Sequence, residues 1–165
     1  MTQPVVVQPV SADDELAISD LHARVFGPGR FTRTAYRVRE GTGFASPHCL
    51  KAMLNGELAA AIRFTQITIG GQGGALLLGP LAVEPSFAGL GYGKQLVGEG
   101  VARARAAGLS IVVLVGNMSY YARFGFKPVP PGQISLPGPV DPARVLAVEL
   151  VSGALARYAG LAAAC

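Results

Sequence analysis

With 165 residues, 50% of them apolar and 15% charged, the chain has the composition of one folded domain with a sizeable core, which excludes a disordered or fibrous segment. The net charge of +4 is modest, and although Arg24, Arg30, Arg33, Arg37 and Arg39 cluster, that window lacks the lysine density and aromatics of a nucleic-acid surface. Nucleic acid is therefore not an expected partner, whereas an anionic cofactor fits the same charge balance. No apolar run approaches the roughly 20 residues that cross a bilayer, so no membrane partner is expected. The opening MTQPVVVQPV lacks the regions of a signal peptide, and Cys49 and Cys165 build no disulfide framework. A cytoplasmic protein with reduced thiols is the expectation.

Val5 to Val10 reads as a short β-branched strand. Ser11-Ala-Asp-Asp14 then has the hydroxyl and acids of a capped helix start, and Ile18, Leu21 and Val25 recur at helical spacing up to Gly27-Pro28. His22 falls beside that stripe, as a boundary residue rather than a catalyst. Thr32 can cap a second helix bearing Arg33, Tyr36, Arg37 and Glu40. Arg33 and Arg37 lie four apart, where like charges repel; either each meets its own carboxylate or both face an anionic ligand. Pro47 to Leu54, Asn55-Gly56 and Glu57 to Ile69 form the clearest hairpin, because Asn-Gly suits a type I′ turn. The glycines of Gly70 to Gly74 make a second turn into an apolar strand, Leu76 to Val83, and the three strands should be antiparallel neighbours.

That last strand stops at Glu84-Pro85, since proline cannot donate to a ladder. Gly89, Gly91 and Gly93 follow, opening onto a helix with Leu96, Val97, Val101 and Ala104 on its apolar side. A glycine-rich turn at a helix N-terminus makes an anion site, because amides point outward, the dipole is positive, and missing Cβ atoms let a phosphate approach. Lys94 in the first turn is unfavourable unless an anion sits beside it. The Walker A loop is excluded, with Ala88 at its first glycine and Gln95 at its hydroxyl, and the dinucleotide fingerprint fails at Lys94. A tight turn with no ligand stays open on spacing alone. The helix should run to Gly108 with Glu99 and Arg103 paired, and Leu109 to Val115 is an all-apolar strand that completes a βαβ unit. Asn117 can cap a further helix carrying Tyr120, Tyr121, Arg123 and Phe124 up to Gly125. Residues 127–142 hold six prolines and read as a covering loop, Arg144 to Val151 alternates as a strand, and the alanine-rich tail is expected as a frayed helix or a partner surface.

The combination Val83-x-Pro85 and Gly91-x-Gly93 resembles the acetyl-CoA loop of the GNAT superfamily of N-acetyltransferases. Asn117-Met-Ser-Tyr-Tyr-Ala-Arg-Phe-Gly-Phe126 resembles a second segment of that superfamily, and Phe26 to Gly41 resembles its YhbS-like bacterial branch. The resemblance implies an α/β (α+β) fold on a single domain over 1–165, with its core about 5–155. It implies a mixed, mostly antiparallel central sheet of about six to seven strands, splayed at the acetyl-CoA strand, with about four flanking helices. It further implies acetyl-CoA as co-substrate, no metal, and direct transfer to a primary amine of a small molecule or peptide. A coenzyme-binding sensor that lost the chemistry is the alternative, and a homodimer stays open.

Under that resemblance the diphosphate is held by Ala88, Gly89, Leu90, Gly91, Tyr92, Gly93 and Lys94, with Asn117 and Arg123 nearby. Ala88 departs from the superfamily's glutamine or arginine, so binding leans on amides and Lys94. The pantetheine arm adds like a strand along Leu81, Ala82 and Val83. Tyr121 matches the superfamily tyrosine that serves the leaving thiolate; Tyr120, about 100° around the helix, should not face the sulfur with it. An alkyl amine of pKa near 10.4 is about 0.04% neutral at pH 7, so a proton acceptor is needed. The apolar strand that ends at Val83 carries no acid from Gly74 onward, which leaves Glu84 as the nearest carboxylate and Glu57 as a further option. Arg33, Arg37 and the proline-rich loop are assigned to the acceptor.

Overall fold

The computed structural model describes residues 5–27 and 47–165; the helix expected from Thr32, with Arg33 and Arg37, lies outside the described residues. Four strands form the first half of one sheet: β1 (Val6–Pro9), β2 (Leu50–Leu54), β3 (Glu57–Ile69) and β4 (Gln72–Val83), each antiparallel to the next. The β2–β3 turn is the expected one, with Asn55 at φ 50 and Gly56 at φ 81, the two positive values a type I′ turn requires. Gly70 and Gly71 make the next turn, so β4 starts at Gln72, four residues before the expected Leu76.

Helix α1 (Glu15–Phe26) follows a 3₁₀ turn in which the Ser11 amide donates to the Asp14 carboxylate at 2.9 Å. Helix α2 (Tyr92–Ala106) joins β4 to β5 (Ile111–Val115), which lies parallel to β4 through Ala75↔Ile111, Leu76↔Val112 and Leu77↔Val113. The expected βαβ unit is thus present, as is the Arg103–Glu99 pair at 2.9 Å. A one-turn helix α3 (Met118–Tyr121) comes next, then β6 (Lys127–Pro128), β7 (Ile134–Ser135) and β8 (Val145–Glu149), which pairs antiparallel with β5 and β6.

The tail is corrected. Ala154–Arg157 is a 3₁₀ turn and Gly160–Ala164 is a strand, β9, antiparallel to β3 at Ile67 to Ile69 and parallel to β7. Pairing with β2 ends opposite Ile62, so the far half of β3 would be left as a bare edge, and the tail covers it. That pairing overrides the helix preference of alanine. It brings backbone close to backbone: a Cβ on Gly70 would run into the Ala159 carbonyl.

Apolar residues settle on both faces of this mixed sheet. Leu76, Leu78, Val112, Leu114 and Leu146 meet α2 and α3 on one face. On the other, α1 covers Ala61 and Ala82 through Ile18 and Leu21, while the C-terminal segments cover Ile67, Leu77, Val113 and Val145. Two polar residues of β3, Arg63 and Thr65, are buried between these last two patches. His22 is corrected too: it is buried with Ile18 and Leu21 rather than at the boundary, beside Cys49 and Arg63.

Candidate functional site

The βαβ unit does not stay closed. Pairing between β4 and β5 ends at Leu77↔Val113, yet β4 runs on to Val83 and β5 to Val115. From there β5 pairs only with β8 (Leu114↔Leu146, Val115↔Val145), and β4 pairs only with β3 (Leu78↔Phe64, Leu81↔Ile62, Ala82↔Ala61, Val83↔Ala60). A wedge therefore opens between the two strands, and the β4 edge through Leu81, Ala82 and Val83 faces it without a strand partner among the described residues. The cause lies in β4: between Leu78 and Leu81 it has one residue more than β3, a bulge at Gly79-Pro80. A bulge adds twist and ends pairing on the strand's other side.

Where β4 ends, the Glu84 amide donates to Ala59 O at 2.9 Å and a 3₁₀ turn, Pro85–Phe87, redirects the chain into the glycine turn. Gly89 (φ 82) and Gly91 (φ 86) are left-handed, and a Cβ at either would meet nothing within 4 Å. The turn is open, not plugged. Gly93 serves closeness instead, since its Cβ would lie 3.2 Å from both Val83 Cγ2 and the Tyr120 hydroxyl. The first bond of α2 runs from Gln95 N–H to Gly91 O at 3.0 Å, so the exposed Lys94 amide precedes the hydrogen-bonded ladder. Of the seven residues from Ala88 to Lys94, Tyr92 and Gly93 are buried, and a ligand can reach Ala88, Gly89, Leu90, Gly91 and Lys94.

Helix α3 closes the other wall. Asn117 stands at its N-cap, but the carbonyl does the work, accepting from the Tyr120 and Tyr121 amides at 3.1 Å each, and the side chain makes no cap bond. The Tyr121 ring lies against Gly116 and Leu114 at the end of β5 and edge-on to Phe126 at 5.7 Å. Tyr120 extends to the end of β4, its hydroxyl beside Gly93, with Arg123 over its ring at 5.4 Å. The two rings meet edge to face with centroids 4.8 Å apart, so the tyrosines border opposite strands of the same wedge. Burial, with a smaller push from Tyr120, takes the Tyr121 phenol up to about 12, and burial also raises Tyr120. Both phenols are protonated donors near neutral pH.

Glu84 is half-buried and receives Arg24 Nη2 at 2.7 Å, a pair that ties the last turn of α1 to the end of β4. No local pattern announces it, since the partners are 60 positions apart. Glu57 begins β3 on the exposed rim, opposite Leu54. Arg63 and Thr65 were also missed: on an otherwise apolar strand they mark the sheet face on which α1 sits, level with the β4 bulge. Among the described residues no group of three His, Cys, Asp or Glu side chains could hold a metal ion, and no helix is long and apolar enough to cross a membrane.

A sheet that splits beside an open glycine turn at a helix start leaves room for an elongated anionic ligand between two strands. Comparison with known proteins narrows this. Residues 16–126 match the acetyltransferase (GNAT) family, and the chain belongs to that family. It is 30% identical over 118 residues to the uncharacterized N-acetyltransferase YjhQ of Escherichia coli K12, a match spanning 70% of this chain and 65% of that one. The uncharacterized N-acetyltransferase YhbS of the same strain is 28% identical over 115 residues, 69% of this chain and 68% of its own. The crystal structure of Escherichia coli YhbS in complex with CoA superposes with a TM-score of 0.81 at 24% identity, covering 100% of this chain and 93% of that one. A GNAT family acetyltransferase from Brucella melitensis, in complex with acetyl-CoA, gives 0.61 at 26% identity over 88% and 96%.

Proposed function

We propose that this protein is an acetyl-CoA-dependent N-acetyltransferase of the cytoplasm that transfers the acetyl group directly to a primary amine of a small molecule or peptide. One observation carries the reading: the unpartnered edge of β4 leads straight into an open turn whose glycines leave room for a diphosphate. The family membership and the coenzyme bound by two similar structures support it.

In this reading the amides from Gly89 to Gly91 and the Lys94 amide and ammonium hold the diphosphate, with Arg123 and Asn117 at the α3 side; the Ala88 amide already donates to Pro85 O. The main chain of Leu81, Ala82 and Val83 aligns the arm, which needs no polar side chains. The coenzyme supplies a thioester, whose C–S bond breaks as the amine nitrogen bonds to the acetyl carbon. Tyr121 donates its phenolic proton toward the departing sulfur, a role suited to a phenol that stays neutral to about 12. Glu84, the carboxylate at the end of β4, accepts the ammonium proton through water, and the second N–H proton, lost after attack, restores the Tyr121 phenol, so that product amide, free thiol and one released proton balance the reaction. The acceptor end falls to Arg33 and Arg37, outside the described residues, and to the proline-rich segment.

The test is thiol release from acetyl-CoA across a panel of primary amines. Release with at least one amine, and none without, is the expected result. Coenzyme binding with no transfer to any amine would instead mark a sensor, the reading that Ala88 and the acid-free β4 favour.

A further inference from the structure

The segment between β6 and β8 does more than cover the sheet. Residues 129–145 enclose an open pocket of about 340 Å³, walled by Val129, Ile134, Leu136, Pro139, Val140 and Val145. Among the described residues no charged side chain lines it, and Ser135 is its polar side chain. Cavities of about 150 Å³ already admit a benzene ring, and ligand pockets begin near 300 Å³. Five further prolines and glycines of the lining hold this wall in shape, so little ordering is left for a ligand to impose.

The pocket adjoins the β5 side of the wedge. Val145 pairs with Val115, the last residue of β5, and the Gly116 amide donates to Arg144 O at 2.9 Å. Val113, Val115, Val140 and Val145 share one apolar cluster on the face opposite α2. Strand β5 stands between the pocket wall on β8 and the wedge. A molecule whose nitrogen reaches the wedge can therefore lay an apolar body against these valines.

We infer that this pocket is the acceptor subsite and that the acceptor is a monoamine with an uncharged, apolar body joined to its nitrogen by a short chain. The inference rests on the N-acetyltransferase reading for its role and on the pocket for its chemistry. A polyamine or aminoglycoside-like polycation is disfavoured, because each extra ammonium would be desolvated against prolines and valines with no carboxylate to meet it.

The experiment measures binding without coenzyme. Ligand-observed NMR titrations of 4-phenylbutylamine, ethylamine and spermidine are run on the wild-type chain and on Val140→Phe, which fills the pocket, and Val140→Ser, which thins its wall. The phenylalkylamine should bind at least tenfold tighter than either other amine, and Val140→Phe should remove about tenfold of that preference. Val140→Ser should remove a smaller part, with melting temperatures confirming that both variants fold. Spermidine binding as tightly as 4-phenylbutylamine, no binding of the phenylalkylamine, or wild-type affinity in folded Val140→Phe overturns the inference. Acetyl-CoA calorimetry on the same samples separates the two levels: loss of coenzyme binding there sinks the transferase reading and leaves the amine pocket to be judged on its own titrations.

Discussion

Two glycines of α2 form a matched pair that separates backbone strain from ligand contact. Gly91 opens the helix at φ 86 and Gly108 follows its last turn at φ 83, and a Cβ at either position would meet nothing within 4 Å. Alanine should therefore cost the same at both, about 1–2 kcal/mol for forcing an L residue into the left-handed region. In a chain of this size that lowers Tm by about 2–4 °C per kcal/mol. The two sites differ in what the methyl faces. At Gly91 it projects where the diphosphate must approach, and displacing one amide bond to a charged oxygen costs about 1.5–3 kcal/mol, or about 10- to 150-fold in affinity. Gly108 lies at the opposite end of a 15-residue helix. Thermal melts and acetyl-CoA calorimetry on Gly91→Ala and Gly108→Ala should show equal losses of Tm but a loss of coenzyme affinity in Gly91→Ala alone. Equal affinity in both variants, or equal loss in both, refutes the assignment of the turn.

Tyr121→Phe should lower turnover by about 10- to 100-fold with acetyl-CoA affinity nearly unchanged, and full turnover would end the proposed donor role. An ultraviolet titration should find one of the five tyrosines ionising near 12, and that step should be missing in Tyr121→Phe. Because the folded value lies above the unfolded 10, the neutral phenol's contribution is complete below about pH 10 and is lost as pH rises through about 12, so alkaline unfolding should begin in that window. Glu84→Gln should cut turnover by about tenfold or more while moving Tm by about 1–2 °C, since its surface pair with Arg24 contributes less than about 1 kcal/mol; a loss confined to Tm would leave Glu84 a strut. Thr65 buries a hydroxyl with no hydrogen-bond partner among the described residues, so Thr65→Val should raise stability by about 1 kcal/mol, and a lower Tm would contradict that accounting.

What could be read in advance was local. The Asn55-Gly56 turn, the bounds of β3 and the left-handed glycines before α2 follow from residues within one turn of each other, and the structure reproduces them. The tail was misread because its alanines favour a helix in isolation, whereas the bare half of β3 offers them a ladder. Gly79-Pro80 sits in the middle of an apolar run, and nothing in that run says that β3 will be one residue shorter there. The wedge itself is a difference between two registers, set by where β5 leaves β4 for β8, and no single segment encodes it. Arg24 with Glu84, and the burial of Arg63 and Thr65, are likewise products of assembly. The motif residues showed where a ligand would end; the strands decide how it enters.

The central claim is that one coenzyme runs from the glycine turn into the wedge. A titration of ¹⁵N-labelled protein with acetyl-CoA reads both ends at once. The account predicts the largest amide shifts at Gly89 to Lys94 together with Leu81 to Val83, and small ones at Gly108 and along β9. Shifts absent from both segments at millimolar acetyl-CoA, or confined to residues remote from the split between β4 and β5, would contradict it.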